Sequence, residues 1–532
     1  MMTYRVLVAD AISADGLAPL QDDGRFELVR QSGLKGDELA RAIAGMHAVI
    51  VRSSTRITRD SLRYADQLQV IGRAGVGVDN IDVEAATERG VAVLNAPAGN
   101  TISAAELTFA LTLACVRRIA AADRSMKTGE WDRKSFTGTE LYGKTLGLIG
   151  AGRIGGEVAR RARAFGMRIC AYDPYLPPAR AEALEIELCP LDAVIARADV
   201  LSLHVPLTES TAGLIGAAEL ARMKAGAVVV NAARGGVIDE TALAEALRSG
   251  HLGGAALDVY AEEPLPEDHP LRAVPNAVLT PHLGAATEEA QLNVAVEIAT
   301  AVRAALLEGD LSRAVNAPAI GGEEMRRMRP LLELADRLSR VAAALLDGGI
   351  NRIAVRYSGH HDEVVLQPLA ASAVTGALRH VIGPGLINMV NAVRIAESRG
   401  IEIERSRVGA RADYDEFVEV RLYAGGAETR VAGALVAARH PRIVRIDRYR
   451  LVVEPRGSLI VLRNRDVPGV IGRVGTALGA AGINIAEYHQ ARLNLGGEAL
   501  AAISVDGVVD DALLRVLEAV PDVRTVRQVN LD

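Results

Sequence analysis

Three short stretches carry the side chains with which a hydroxyl-bearing carbon can be oxidised. They are Asn231-Ala232-Ala233-Arg234-Gly235-Gly236, Ala256–Pro264 with Asp258 and Glu263, and Thr280-Pro281-His282-Leu283-Gly284. Each follows an apolar run of strand-like composition, and open α/β sheets bind their ligands at the carboxyl ends of parallel strands. Oxidising an alcohol needs a base for the O–H proton as hydride leaves the carbon, and histidine is poised for that near neutral pH. A carboxylate on the other ring nitrogen fixes the tautomer and stabilises the imidazolium. An arginine can hold a substrate carboxylate and polarise the C–O bond. The residue types therefore assign His282 as acid/base, Glu263 as its partner and Arg234 as the anchor. Taken singly, an arginine after a strand is ordinarily a surface ion pair, and a histidine ordinarily a satisfied hydrogen-bonding residue. Three such groups after three strands of one sheet favour the chemical reading.

Hydride needs an acceptor, and Gly147-Leu148-Ile149-Gly150-Ala151-Gly152-Arg153-Ile154-Gly155 offers a place for one. The apolar run before it reads as a buried strand, and Glu157–Ala162 has helical spacing. In that context Gly150 permits the tight turn, Gly152 lets backbone approach a pyrophosphate, and Gly155 lets the helix pack on the strand. The N–H groups at the helix start face the phosphates. A second strand ends in Asp173, 18 residues past Gly155. That acid can accept from a ribose diol and would repel a 2′-phosphate, so the cofactor implied is NAD rather than NADP. The competing reading is a glycine-rich turn in some other α/β protein.

The elements that must position these groups follow from the rest of the chain. Its 532 residues suggest three to four domains, and a net charge of −6 without long runs of one sign argues against a nucleic-acid partner. Aromatic residues make up 3%, so the cores must be built of Ala, Val, Leu and Ile. Cys115, Cys170 and Cys189 lack metal-ligand spacing and read as buried thiols in a reducing compartment; no metal is expected. No signal peptide or long apolar span is evident, which predicts a cytoplasmic protein with no membrane partner. Strand and helix alternate over residues 1–97. The helix Ser103–Arg118 crosses to a second alternating unit, and the helix Glu288–Leu307 returns. The fold class expected is α/β, with two doubly wound, Rossmann-like parallel sheets forming a cleft: 1–97 with 285–318 for substrate, and 98–284 for NAD. Two independent sheets are the alternative. An α+β unit follows over 319–453, with helices expected at Pro330–Leu346, Ala370–Arg379 and Leu386–Ser398. Its Arg439, His440, Arg442, Arg445, Arg448 and Arg450 read as an anion site or, by default, a solvated strand edge. Residues 454–532 have the order βαββαβ of a ferredoxin-like unit.

Several motifs resemble the D-2-hydroxyacid dehydrogenase family, and within it the enzymes that act on 3-phospho-D-glycerate. They are Gly72–Asn80, Asn100–Glu106, Lys127–Arg133, Leu146–Gly156 and the Arg234, Glu263 and His282 stretches. The resemblance runs along the whole chain. It implies catalytic roles for Arg234, Glu263 and His282. It implies cofactor contacts at Arg153, Ile154, Asp173, Ala232 with Ala233 beside it, Asp258, His282 and Gly284, with Val205-Pro206 bordering the adenine. Val76 and Gly77 would offer N–H groups to the substrate carboxylate, with Asn100 nearby. Arg52 and Arg73 are candidates for the phosphate end, and Arg133 with Lys134, beside Trp131, would reach a neighbouring subunit's site.

The terminal unit resembles an ACT domain, a small-molecule sensor, through Asn464-Arg465-Asp466-Val467-Pro468-Gly469 and Gly482-Ile483-Asn484-Ile485. The resemblance implies L-serine as effector, bound between paired units through Asp466 and Asn484, whose strand ends are expected to be neighbours. Asn464 stands where the family varies. The competing reading is that Asp466 and Asn484 only cap a turn and a strand. Residues 319–453 resemble the intervening domain of the long form, where an anionic effector can bind. The reaction expected is oxidation of 3-phospho-D-glycerate by NAD to 3-phosphooxypyruvate, the first step of phosphorylated L-serine biosynthesis, in a homo-oligomer, dimer or tetramer. The rivals are a glycerate- or glyoxylate-type dehydrogenase and a non-enzymatic, NAD-sensing corepressor.

Overall fold

Strands that read as unbroken apolar runs belong to parallel sheets covered by helices on both faces. Two such sheets build the first three-fifths of the chain. The computed structural model describes residues 3–383, 385–409, 413–437, 439–507 and 509–532. The first sheet comprises β1 (Tyr4–Val8), β2 (Phe26–Arg30), β3 (Ala48–Val51), β4 (Val70–Arg73) and β5 (Ala92–Asn95), all parallel in the order β2-β1-β3-β4-β5. The second comprises β6 (Thr145–Ile149), β7 (Arg168–Tyr172), β8 (Glu187–Leu188), β9 (Val200–Leu203), β10 (Val228–Asn231), β11 (Gly254–Leu257) and β12 (Ala277–Leu279), parallel in the order β12-β11-β10-β9-β6-β7-β8. The strand order reverses between β6 and β9, so the ligand crevice of this sheet opens beyond their carboxyl ends.

Two helices tie the sheets together. Thr101–Val116 is apolar all round and buries residues along its whole length, from Ser103 to Val116. It stops short of the expected end because Arg118 turns left-handed at φ +53° and starts a second helix, Ile119–Lys127, none of whose residues is buried. The returning helix, Glu288–Glu308, begins at Thr287, whose hydroxyl accepts from the Ala290 N–H. Val294, Ile298, Val302 and Leu306 pack into the core of the first sheet with Val6, Val8, Ile50 and Leu94. A Cβ at Gly16 would lie 2.3 Å from the Ala295 Cβ, so the glycine is what permits that approach. This is the one helix among the described residues long and apolar enough to cross a membrane, and its apolar face lies on the sheet. Beyond it, the Asn316 side chain accepts from the Val93 N–H at 2.8 Å and donates to the Val91 carbonyl at 2.9 Å, fastening the segment to β5.

A mixed sheet follows: β13 (Arg352–Ser358), β14 (Glu402–Arg407), β15 (Glu416–Ala424), β16 (Ala427–Val436), β17 (His440–Ile446) and β18 (Tyr449–Val453) in the order β14-β13-β15-β16-β17-β18. The helix expected from Pro330 begins at Gly322, with Pro330 in its interior. The buried Met328, Leu331, Leu334 and Leu338 hold that helix against the sheet, outweighing a proline cost of about 3 kcal/mol. The helix expected from Leu386 begins only at Ala392. Before it, Asn388 and Asn391 spend their side chains on a turn: Asn391 Oδ1 accepts from the Asn388 N–H, and Asn388 Nδ2 reaches across to the Gly90 carbonyl at 2.9 Å.

The last sheet is antiparallel, β19 (Ser458–Arg465), β20 (Asn484–Arg492), β21 (Glu498–Asp506) and β22 (Val523–Asn530), in the order β20-β21-β19-β22. Its two faces follow the period of two. Ile460, Leu462, Ala501 and Ile503 pack under the helices Val470–Ala480 and Asp511–Glu518. Leu459, Val461, Leu500 and Ala502 point the other way, into the core of the preceding unit.

Candidate active site

Arg234, Glu263 and His282 follow β10, β11 and β12, three neighbouring strands at one end of the second sheet. His282 Nδ1 lies 2.7 Å from Glu263 Oε2, and the Tyr260 N–H donates to Glu263 Oε1 at 3.1 Å. The ring is thus fixed by a carboxylate that is itself fixed by backbone. His282 adopts φ +56°, a left-handed conformation that a histidine holds only where its surroundings compel it. Asp258 supplies the compulsion. Its carbonyl accepts from the His282 N–H at 2.9 Å, and its carboxylate accepts from the N–H groups of Leu283 at 2.7 Å and Gly284 at 2.9 Å and from the Thr280 hydroxyl at 2.6 Å. Asp258 is 0% exposed. The family resemblance implies a cofactor contact at Asp258; in this arrangement its oxygens are spent on the histidine turn.

Arg234 faces the other sheet. Its Nε lies 3.4 Å from Asp79 Oδ2, and a Cβ at Gly77 would stand 2.1 Å from a guanidinium nitrogen. The N–H groups of Val76 and Gly77 have no acceptor among the described residues. Arg73 stands in the same cluster. Burial, followed by the charges of Arg234 and Arg52, pulls it down to about 10, against the opposing pull of Asp79 and Asp10. The Arg52 loop is built by Asp10, which no motif flagged, and by Asn80 at the end of the Gly72–Asn80 stretch: Asp10 accepts from the N–H groups of Arg52 and Thr55, and Asn80 Nδ2 donates to the carbonyls of both at 2.6 Å. Three guanidinium groups and two free N–H groups therefore converge where the two sheets meet, an arrangement suited to an anion with two negative ends. Asn100 stands at the start of the crossing helix with Oδ1 buried and unpartnered, as are the hydroxyls of Thr101 and Ser103 beside it. A buried acceptor without a donor costs about 1–3 kcal/mol, so these atoms mark a place a ligand can satisfy.

The glycine turn fits a dinucleotide. Gly150 adopts φ +89°, and a Cβ there would lie 2.6 Å from the His204 carbonyl. A Cβ at Gly155 would lie 2.3 Å from the Gly150 carbonyl, whereas Gly152 faces open space. Backbone crowds the first and third glycines, and the second leaves the approach free at the start of the helix Arg153–Ala164. Asp173 ends just past β7; its Oδ2 accepts from the Ala151 N–H at 2.9 Å and Oδ1 from the Tyr175 N–H at 2.9 Å, so it braces the turn as well as facing the crevice. Val205 and Pro206 lie past β9 on the opposite wall, and Ala232 and Ala233 lead into Arg234. His204 escapes sequence reasoning altogether: burial pushes its imidazole down to about 4, leaving it neutral beneath the turn with Nε2 2.9 Å from the Ser202 hydroxyl.

A family model for the D-isomer specific 2-hydroxyacid dehydrogenase NAD binding domain matches residues 109–284, one for the D-3-phosphoglycerate dehydrogenase intervening domain matches 327–447, and one for the ACT domain matches 458–522. D-3-phosphoglycerate dehydrogenase of Methanocaldococcus jannaschii is 42% identical over 99% of this chain and 100% of its own length. The chain belongs to the D-3-phosphoglycerate dehydrogenase family. The Bacillus subtilis member is 38% identical over 99% of this chain and all of its own. Among solved structures, a Thermus thermophilus protein (40% identity, TM-score 0.53) aligns with 58% of this chain and 99% of its own. A glyoxylate reductase from Paecilomyes thermophila (33% identity, TM-score 0.54) aligns with 59% and 99%. The family's NAD-binding half thus carries the glycine turn and the three strand ends.

Two groups of sequence-assigned residues are not drawn together within this family member. Arg133 lies on the exposed loop beside Trp131, itself 79% exposed, and no hydrogen bond or ion pair among the described residues joins it to the cleft. Asp466 and Asn484 are not neighbours, contrary to the expectation. β19 and β20 both run antiparallel to β21, so they are parallel to each other, and the end of β19 lies beside the end of β20 while the start of β20 lies at the far end of the sheet. Arg465 pairs with Glu498, whereas Asn484 pairs with Asp506 at the far end of β21, about 26 Å away at about 3.3 Å per residue. Asp466 instead accepts from Arg492 at 3.2 Å and the Gly496 N–H at 3.3 Å, and Asn484 donates to Asp506 at 2.7 Å. Asn464 is buried and donates to the Arg465 carbonyl, with Oδ1 left unpartnered. The basic residues of β17 and β18 form the edge hairpin of the mixed sheet, where Arg442 pairs with Glu454 at 3.6 Å and Arg445 with Glu419 at 3.8 Å.

Proposed function

We propose that this chain oxidises 3-phospho-D-glycerate with NAD to 3-phosphooxypyruvate, the first step of phosphorylated L-serine biosynthesis. The observation that carries the reading is the 2.7 Å pairing of Glu263 with His282 Nδ1, at the end of the sheet that bears the glycine turn. With Nδ1 engaged, Nε2 is the nitrogen free to take the hydroxyl proton of the substrate. Glu263 then faces the imidazolium that forms and holds its charge. Arg234, with the N–H groups of Val76 and Gly77, grips the substrate carboxylate, while Arg52 and Arg73 take the phosphate. NAD, when bound, accepts the hydride. Gly150, Gly152, Arg153, Ile154 and Gly155 would hold its pyrophosphate, Asp173 its ribose, Val205 and Pro206 its adenine, and Ala232, Ala233 and Gly284 the nicotinamide end, with Asp258 acting through the histidine turn.

The reading places substrate on residues 1–97 with 285–318, NAD on 98–284, an intervening unit on 319–453 and a sensor on 454–532, in a cytoplasmic homo-oligomer. Arg133 serves a neighbouring copy. L-serine binds where two terminal units pair, because only a pair related end to end can bring Asp466 of one copy to Asn484 of the other. The test is NADH formation by the purified chain with 3-phospho-D-glycerate, D-glycerate and a longer hydroxy-carboxylate in parallel. Turnover on the phosphorylated acid well above the others is the expected result. Equal turnover on D-glycerate would move the activity to another member of the wider hydroxyacid dehydrogenase group, and no turnover on any would favour a binding protein.

A further inference from the structure

The loops that carry Arg234 and Glu263 are locked to each other from behind. Gly235 lies so close to the next loop that a Cβ there would stand 1.8 Å from the Tyr260 carbonyl oxygen and 2.6 Å from the Ala261 nitrogen. Five residues on, at the start of the helix Glu240–Arg248, the Glu240 side chain is buried at 8% exposure. A buried carboxylate is costly unless its oxygens are engaged. Both are: Oε1 accepts from the Ala261 N–H at 2.7 Å, and Oε2 lies 3.0 Å from His269 Nε2. His269 Nδ1 accepts weakly from the Leu271 N–H at 3.4 Å, so the ring proton sits on Nε2 and points at Glu240. Ala261 is the next residue after Tyr260, whose N–H holds Glu263 Oε1. The line of contacts therefore runs His269, Glu240, Ala261, Tyr260, Glu263, His282.

We propose that Glu240, oriented by His269, is a positioning residue for the reaction: it fixes the Tyr260–Ala261 backbone and through it the angle at which Glu263 holds His282. It touches neither substrate nor cofactor. The proposal rests on the reading of Glu263 and His282 as the catalytic pair. A displacement of about 1 Å at such a pair can cost about 100-fold in rate. Loss of the Glu240 carboxylate should thus lower kcat while leaving the KM for substrate and NAD within about two-fold, because the arginine cluster and the glycine turn lie elsewhere.

The test is a double-mutant cycle with Glu240→Ala, Glu263→Ala and both together, alongside Glu240→Gln, which keeps an acceptor for the Ala261 N–H. Stability is followed by thermal melting and kinetics at saturating 3-phospho-D-glycerate and NAD. The expected result is a ten- to hundred-fold lower kcat for Glu240→Ala, no further loss when it is added to Glu263→Ala, and recovery of most of the rate in Glu240→Gln. Losses that multiply in the double variant, or a Glu240→Ala chain with wild-type kcat, overturn the positioning role while leaving the catalytic pair standing. A Glu263→Ala chain with wild-type kcat overturns both. If Glu240→Ala does not fold, Glu240→Leu, which fills the space and offers the Ala261 N–H no acceptor, carries the same cycle.

Discussion

Asp258→Asn is the substitution whose effect the geometry fixes most tightly. The carboxylate has two oxygens and three donors around them: the Thr280 hydroxyl and Leu283 N–H on Oδ1, and the Gly284 N–H on Oδ2. An amide offers one oxygen and one NH2. Whichever way it turns, the NH2 faces a backbone N–H that loses its acceptor, at a cost of about 1–3 kcal/mol. The surviving bonds change from charged to neutral acceptor, worth about 1 kcal/mol more. The expected destabilisation is thus about 2–4 kcal/mol, a large share of the ~5–15 kcal/mol that holds a typical domain together. The easiest relief is local: the Leu283–Gly284 backbone swings away, and His282 leaves its left-handed conformation. Urea unfolding should report the stability loss, and steady-state kinetics should report kcat lowered at least ten-fold. A variant within 0.5 kcal/mol of the parent (about the scatter of neutral surface changes) and with unaltered kcat would refute the account of Asp258 as the keeper of the histidine turn.

Two further outcomes concern the same cleft and one the terminal unit. His282→Ala should lose about 10²–10⁴-fold in turnover with NAD affinity little changed by calorimetry, since the main work of the imidazole is on the proton. Asp173→Ala should weaken NAD binding and narrow the preference over NADP in parallel titrations; part of the loss comes from freeing the Ala151 N–H that Asp173 braces. Asp466→Ala should abolish L-serine binding to the full-length chain by calorimetry, and undiminished binding would move the effector site elsewhere.

The parallel sheets were legible because their strands are unbroken Val, Ile, Leu and Ala runs separated by amphipathic stretches, and because a glycine turn announces its strand and helix. The antiparallel strand β16, with Gly433 and three alanines in ten residues, carries no such signal and went unread. The helix boundary at Gly322 was hidden by Pro330, a residue whose local preference the buried leucines override. Within the site, residues that touch ligands stand in recognisable stretches after strands. Those that hold them do not. Asp10, His204, Glu240 and the true occupation of Asp258 are defined by contacts 20 or more residues away in sequence, or by burial, and neither is written in a local pattern. The misplacement of Asp466 and Asn484 has a different origin: it turned on strand direction, and only the shared pairing with β21 shows that two strands joined by a helix run the same way.

The charge at the cleft gives the architecture its consequence. Arg52 and Arg73 stand on the first sheet and Arg234 on the second, and Arg73 is pulled down because burial and its two neighbours oppose its charge. Asp79, mostly exposed, answers Arg234 across the gap, and Asp10 is spent on the N–H groups of Arg52 and Thr55, so three cations face two acids. Like charges held on two bodies push the bodies apart, and a ligand that carries a carboxylate at one end and a phosphate at the other reverses the sign of that interaction. Such a ligand binds more strongly to the arrangement in which the sheets are close than to the one in which they are apart, and differential affinity of that kind is what shifts a population. The returning helix and the Asn316 contacts belong to the first sheet, whereas His282 and Arg234 stand on the second. A hydroxy acid without the phosphate brings a single negative charge and offers only part of that reversal. Discrimination for a doubly anionic substrate is thereby built into the distribution of arginines between the two sheets, beyond the grip of any one of them.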